Sequence, residues 1–429
     1  LRKPRINGGF AEGHAQAWLE KGGFVILLSL LLSASLAHAD SYRVATRGTV
    51  TVHHPSFQSL VPGARAGDPP SLLISSFNLL GKDAIYKIAD PAAPLRGQTP
   101  VIELLTDAIA WPNEARYVDS SVLGAAGLLI SSGFLPPNKN TGAVSFLDAG
   151  GRLSTLTHEK PGYFYHRAVF ADVSRTGRLD ILTARAKIPL IGPADGELVW
   201  LKRPTSQALD QPWQETVLAK GPDIHFRVAQ NPADGSLIIV AAEFSAKQIA
   251  LYWIDPDGKV RSRVIDNTLG AAFDLEFADL NNDGVKELLV TNHEGQAEKS
   301  AVFAYLAPND YKTGPWTRKT LLSGIETRQL GIGQASPGAA KAFYPEAAKA
   351  GEHKPWIVVS GDGSQRVHLL RALSDDQDDW RYRETILLDA NSTIGEPMVY
   401  DFDGDGLADI VVPAYDDDKL YFLSVKRAD

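Results

Sequence analysis

Three short acidic stretches, each set between two apolar runs, constrain this chain more than any other feature. The last reads Asp401-Phe402-Asp403-Gly404-Asp405-Gly406-Leu407-Ala408-Asp409 and runs straight into Ile410-Val411-Val412. The middle one, Asp279-Leu280-Asn281-Asn282-Asp283-Gly284-Val285-Lys286-Glu287, repeats the spacing. The first keeps Asp172 and Asp180 but has Ser174 and Thr176 between them. Side-chain oxygens at the first, third, fifth and ninth places of such a loop can converge on one point, and Gly406 permits the sharp turn this needs. A recurring strand–loop–strand unit marks a repeat architecture.

The rest of the chain from residue 40 onward is strand-like. Short runs of Val, Ile, Leu, Phe and Tyr alternate with Gly, Pro, Asn and Asp clusters, and no long helical period appears. The runs fall into groups of about four that recur every ~50–57 residues, the range of four-stranded propeller blades. The clearest group runs from His166 to Leu218, and others follow from Phe226, Phe273 and Arg328. In the Arg328 group, Arg328–Ile332 is expected as the first strand, and 337–354 reads as an inserted loop or short surface helix. Weaker groups begin near Ser71 and Tyr117. The final group, Met398–Asp401, Ile410–Val412 and Leu420–Val425, lacks a fourth strand before the chain ends. Val44–Val52 is strand-like and otherwise unassigned, so it is expected to complete that blade and leave no sheet edge open. The expected fold is all-β: one propeller domain over 40–429 with seven blades, six or eight being the alternatives because 55–130 is poorly punctuated.

The chain has 429 residues and a formal net charge of −8, to which the first 39 residues contribute about +2. An acidic remainder argues against nucleic acid or an anionic membrane as the main partner. Lys21, the apolar run Phe24–Leu32 and the small-residue ending Ala37-His38-Ala39 have the order of a secretory signal, with cleavage expected before Asp40. Residues 1–20 read as an upstream extension. The apolar run is too short to span a bilayer with margin, so no membrane span is expected in the mature chain. The expected location is extracellular, or periplasmic for a Gram-negative source. There is no cysteine. That excludes disulfides, thiol catalysis and thiolate metal sites, and leaves bound metal as the natural staple for an exported chain.

Hard oxygen ligands in a flexible loop suit Ca²⁺, whereas Mg²⁺ demands a tighter octahedron. Flanking strands and the absence of an acid at the twelfth place (Val412, Val290, Thr183) argue against an EF-hand. Strand, D-x-[DN]-x-D-G-x-x-[DE], strand resembles the FG-GAP or VCBS-type repeats of calcium-binding β-propellers, found in integrin α-subunits and many secreted proteins. The resemblance implies structural Ca²⁺ ligated by Asp401, Asp403, Asp405 and Asp409 with the Leu407 carbonyl. It implies a second ion at Asp279, Asn281, Asp283 and Glu287 with the Val285 carbonyl. The 172–180 loop departs from the pattern.

Aligning the groups on the first loop acid places Arg167, Asp274 and Glu396 five residues upstream, with Glu114, His225 and Arg328 at the matching places elsewhere. Arg116, Arg227 and Glu276 follow two residues later, on the same strand face. If these strands are innermost, that face looks into the central channel. His166, Arg167, His225, Arg227, Asp274, Glu276, Arg328 and Glu396 are therefore ligand-binding candidates. Tyr163 and Tyr165 are available for stacking, and Asp274 or Glu276 as a base partnered by His225. His53-His54 is not read as a metal pair, because adjacent residues on a strand point to opposite faces. Asp416-Asp417-Asp418 reads as a hairpin turn, and Asn391-Ser392-Thr393 fits a glycosylation sequon. Nucleophile-elbow, zincin, P-loop and dinucleotide motifs are absent. Two functions follow. One is an extracellular module binding a carbohydrate or protein ligand. The alternative is a sugar lyase or dehydratase working at the channel. Convergence of the ring in a deep pocket favours the enzyme, and salt bridges along an open tunnel oppose it.

Overall fold

A computed structural model describes residues 42–428 except 66, 190–193, 207–208, 232–233 and 330–332. The expected leader lies outside these. The described chain forms seven four-stranded antiparallel sheets, in each of which strand order follows sequence order save the last. First strands of successive sheets touch one another around the ring, so they are the innermost. The first blade is Pro55–Val61, Ser71–Ser76, Ala84–Ile88 and Ile102–Thr106. The innermost strands of the next six are Pro112–Val118, Phe164–Ala171, Phe226–Gln230, Ala272–Ala278, Ala340–Phe343 and Met398–Tyr400.

The seventh blade is closed as expected. Tyr42–Thr51 pairs antiparallel with Lys419–Arg427, matching Val44 to Val425 and Val50 to Leu420. A bulge between Thr46 and Gly48 inserts one extra residue, which reverses the strand's facing. Val44 consequently packs toward Val412 and Val425 in the core shared with blade six. Val50 and Val52 pack toward Leu72 and Ile74 of blade one. Buried Val50 and Val52 contribute about 1.5–3 kcal/mol each and half-buried Val44 less, so the seam is held on both faces. Gly48 sits in the bulge because a Cβ there would lie 2.6 Å from the Pro94 carbonyl oxygen.

The same logic explains why Ile410-Val411-Val412 is continuously apolar rather than alternating. Ile410 and Val412 face the blade-six side while Val411 faces blade one, and all three are fully buried. A strand covered on both faces has no polar side to show.

Blade six differs from expectation. Its innermost strand is Ala340–Phe343, inside the stretch read as an insertion, whereas Arg328 and Gln329 are not in a strand and 330–332 lie outside the described residues. The strand has only four residues, Ala-Lys-Ala-Phe, a composition poor in β-formers. Carboxylates of blade five hold it instead: Asp274 Oδ2 accepts from Ala340 N at 3.3 Å and Glu276 Oε2 from Ala342 N at 3.2 Å. Arg328 accordingly stands away from the channel and pairs with Asp389 at 2.7 Å. No described helix is long and apolar enough to cross a membrane.

Candidate functional site

Four innermost strands carry a bulge near their start, at Pro55/Phe57, Pro112/Glu114, Tyr165/Arg167 and Ala272/Leu275. Bulges re-aim side chains that strict alternation would send into the blade. Six of the seven innermost strands, or residues just before them, contribute to one cavity of ≈ 400 Å³ on the ring axis. Glu114, Arg116, Arg167, His225, Lys341 and Glu396 all line it. The alignment on the loop acids therefore brought the right residues to the cavity in four blades, and Asp274 of a fifth meets them through His225 and Lys341. In the sixth it pointed to Arg328, and the place belongs to Lys341.

Most charges in the ring are paired. Glu114 Oε1 lies 2.7 Å from an Arg116 guanidinium nitrogen and 3.1 Å from one of Arg167. Lys341 Nζ lies 2.6 Å from Glu396 Oε1 and 3.9 Å from Asp274 Oδ2. His225 Nδ1 is 3.2 Å from Asp274 Oδ1, and Arg227 stands 3.8 Å from the same oxygen. Burial alone would raise the Asp274 carboxyl, but Lys341, His225 and Arg227 outweigh it and hold it below the usual range. Asp274 is buried as the counter-ion of these cations, while Glu276 accepts from the Ala342 amide and has its carboxyl raised by burial.

Two neighbouring histidines are driven apart, with ring centroids 5.6 Å from each other. Burial works against a charge on His225, but its bond to Asp274 prevails and its pKa is raised. Burial and the His225 charge push His166 down to about 3, so it is neutral near pH 7.

The unpaired atoms are more telling than the pairs. Gln58 Oε1, Asn113 Oδ1, Glu114 Oε2, His166 Nδ1 and Arg167 Nε are buried with no hydrogen-bond partner among the described residues. The amide donors are already committed. Gln58 Nε2 donates to the Glu396 and Val411 carbonyls, and Asn113 Nδ2 to those of Gly133 and Tyr165. Three of the five orphans, the Gln58, Asn113 and Glu114 oxygens, are thus acceptors, and His166 Nδ1 donates or accepts according to its tautomer. A buried acceptor left alone costs about 1–3 kcal/mol, so this set calls for hydroxyl or other donors from outside the chain.

Around the end of the ring where the innermost strands begin runs a chain of aromatic rings that sequence reasoning missed. Phe77, Trp111 and Phe134 stack at 4.4 and 4.6 Å, and Phe164, His166, His225, Phe273 and His293 continue the arc. Trp111 holds a positive φ of 51°, a strained conformation for a bulky residue. Its N–H donates to Asp83 Oδ2 at 2.7 Å, and Lys139 closes on the same oxygen at 2.6 Å in a buried pair. Apart from Phe164 and His166 on one strand, the rings come from separate places in the sequence, so no local pattern announces the arc. Tyr163 and Tyr165 are not part of it. They face Arg185, whose guanidinium carbon lies 5.2 Å and 5.9 Å from their ring centroids.

At the opposite end lie the acidic loops. Asp401, Asp403 and Asp405 bring carboxylate oxygens within 4.8 Å of one another. Gly406 N and Gly404 N donate to Asp401, Phe402 N donates to Asp409, and Lys426 Nζ sits 2.7 Å from Asp405. The middle loop repeats the scheme, with Gly284 N donating to Asp279, Leu280 N to Glu287 and Val285 N to Asp283. Asn281 Nδ2 donates to Asp283 Oδ2 at 3.0 Å. Burial and the neighbouring carboxylates raise Asp409 to about 6 and Glu287 to about 7. The 172–180 loop keeps the frame, with Gly177 N on Asp172 and Ser174 N on Asp180, but its Ser174 and Thr176 hydroxyls bond each other at 3.1 Å.

His53 and His54 overturn an expectation as well. The closing strand ends at Thr51, and His54 has φ 40°, so alternation does not apply to this turn. Both rings meet Asp418.

No protein-family profile matches the chain, and no curated protein is similar to it. Among solved structures, the soluble aldose sugar dehydrogenase of Escherichia coli aligns over 76% of this chain and 99% of its own, at 14% identity and a TM-score of 0.42. A streptogramin B lyase aligns over 90% and 98%, at 11% identity and a TM-score of 0.48.

Proposed function

We propose that the axial cavity binds a small polyhydroxylated molecule, a sugar or sugar acid, and that the protein is an enzyme of the sugar lyase or dehydratase class. One observation carries the ligand reading: three buried acceptors on residues that line the cavity, Gln58 Oε1, Asn113 Oδ1 and Glu114 Oε2, await donors, as the hydroxyls of a sugar would supply. The cavity volume of ≈ 400 Å³ falls in the ~300–1,000 Å³ range of small-molecule sites. Phe57 and Tyr117 in the cavity wall offer apolar ring surface to a sugar.

The chemistry rests on Glu114 and His225. In an elimination, Glu114 Oε2 takes the proton from the carbon beside a carboxylate or carbonyl, while Arg167 and Lys341 offset the charge that develops there. The C–H electron pair forms the new double bond as the C–O bond breaks. His225, oriented by Asp274, whose bond raises its pKa, gives its Nε2 proton to the leaving oxygen. A second reading, binding without turnover, is favoured by the ion pairing of the ring, since paired charges bind and exclude more readily than they react. A panel of hexuronates, aldonates and oligouronides separates the two. The enzyme reading expects a new ultraviolet band from the conjugated double bond of a uronide, or a 2-keto-3-deoxy acid from an aldonate once its enol tautomerises, either abolished in Glu114→Gln and His225→Asn. Saturable binding with neither product supports binding alone, and neither binding nor product with any member contradicts the sugar site.

We further propose that the 401–409 and 279–287 loops are FG-GAP-like structural Ca²⁺ sites. All-oxygen donors, the convergence of Asp401, Asp403 and Asp405, and the crowding of like charges in loops with glycine at the sharp turn support this. Chelation by EGTA is expected to lower the Tm, and an unchanged Tm argues against it. Residues 21–39 support export, and the N-terminus of the secreted product is expected at Asp40.

A further inference from the structure

Beyond the channel and the acidic loops, we propose that His53, His54 and Asp418 form a binding site for a borderline divalent transition ion such as Zn²⁺, which staples the seam of the ring. The three side chains bring their ligand atoms within 4.8 Å of one another. His53 Nδ1 lies 3.2 Å and His54 Nδ1 3.3 Å from the same carboxylate oxygen, Asp418 Oδ1. Ligands ~2.05 Å from a tetrahedral zinc are about 3.3 Å from one another, so both nitrogen–oxygen separations match two edges of such a site.

The backbone is shaped for this contact. Consecutive histidines on a strand would diverge, but His54 at φ 40° and Asp418 at φ 54° both occupy left-handed turns. The two imidazoles then lie 4.2 Å apart, centroid to centroid, on one side of the chain. His54 N donates to Asp418 Oδ1 at 2.8 Å and Val52 N to the Asp418 carbonyl at 2.9 Å, which fixes the carboxylate. The Tyr415 ring stacks on His54 at 4.6 Å. Two imidazoles and one carboxylate, without thiolate, suit Zn²⁺, Ni²⁺ or Cu²⁺ rather than Ca²⁺, and three protein ligands leave a position for water.

The competing arrangement is a set of hydrogen bonds: His53 Nδ1 to Asp418 at 3.2 Å and His54 Nδ1 to the Tyr415 carbonyl at 3.0 Å. A metal replaces the protons in these bonds. The location gives the ion a task. His53 and His54 follow the closing strand Tyr42–Thr51 directly, and Asp418 sits in the turn leading to its partner, Lys419–Arg427. The ion joins the two sides of the one seam where blade closure depends on distant parts of the chain.

The test is isothermal titration of the metal-free full chain with Zn²⁺ while Ca²⁺ is held in excess. One equivalent is expected to bind in the micromolar range or tighter and to raise the Tm. His53→Ala and Asp418→Asn are each expected to weaken binding by at least tenfold, with Tm values close to the metal-free wild type. Zinc-edge anomalous scattering from wild-type crystals gives a second reading that needs no variant, with a peak expected between the three side chains. An absence of saturable Zn²⁺ binding, equal binding by both variants, or an anomalous peak elsewhere overturns the proposal.

Discussion

The two ends of the ring are built on different chemistry. Where the innermost strands stop, the 401–409 and 279–287 loops crowd carboxylates onto rigid backbone frames, each written in nine consecutive residues. Where those strands begin, the arc of rings passes through His225, one of the side chains from six blades that line the axial cavity. The acidic end repeats one solution and can be changed loop by loop. The aromatic end is a single assembly in which each blade contributes something different. Repetition suits a structural clip, and divergence among blades suits a site.

Substitutions at the two ends should therefore fail in different ways. The largest effect is expected from His225→Asn, which should cut turnover about 10²–10⁴-fold through loss of the general acid while the chain stays folded. Loss of folding without any specific loss of activity would place His225 among structural residues and break the contrast. Next is Lys341→Met. It leaves Glu396 and the buried Asp274 short of a cation, at an expected cost of about 3 kcal/mol in urea denaturation. A neutral outcome would mean the ring does not need its charges balanced.

The pH dependence comes third. His166 is neutral in the fold with its pKa pushed down to about 3, against an ordinary value of 6.5. The unfolded chain binds the extra proton between those values, so this residue costs nothing above pH 6.5 and progressively destabilises the fold as pH falls toward 3. Wild type is expected to lose on the order of 3 kcal/mol more than His166→Phe across that window, part of it screened because the ring is only part-buried. Parallel stability curves would contradict the assignment. The smallest effect sharpens the comparison within the acidic end. Asp405→Asn should lower the Tm in Ca²⁺ by several degrees, about 1–2 kcal/mol. Ser174→Ala should change it little, because that loop has no carboxylate at this place to hold an ion and its frame is kept by backbone donors to Asp172 and Asp180. Equal shifts would mean that the loops are mere turns.

What could be read from the sequence follows the same division. The acidic loops, the strand groups and the closing role of Val44–Val52 were legible because each depends on neighbours in sequence or on one unpaired apolar run. Blade one's inner strand was missed because Pro55–Val61 opens with proline and carries Ser56, Gln58 and Ser59, polar residues that turn out to face the channel side and the neighbouring blade. Blade six was misplaced because Ala340–Phe343 has weak strand propensity and is held by the Asp274 and Glu276 carboxylates, a tertiary cause. Periodicity found Glu114, Arg167, His225 and Glu396. It could not find the orphaned acceptors of Gln58 and Asn113, whose amide donors are consumed by carbonyls up to 353 residues away. The pairing of His53 with His54 was hidden by applying strand alternation to a turn.

The central claim is that a sugar-like ligand occupies the axial cavity. It is tested most directly by a crystal structure of the full chain soaked with a hexuronate. The account predicts ligand hydroxyls within hydrogen-bond distance of Gln58 Oε1, Asn113 Oδ1 and Glu114 Oε2, with His225 Nε2 beside a ligand oxygen. A ligand bound only at the outer loops, or a cavity holding only water at saturating ligand, would contradict it.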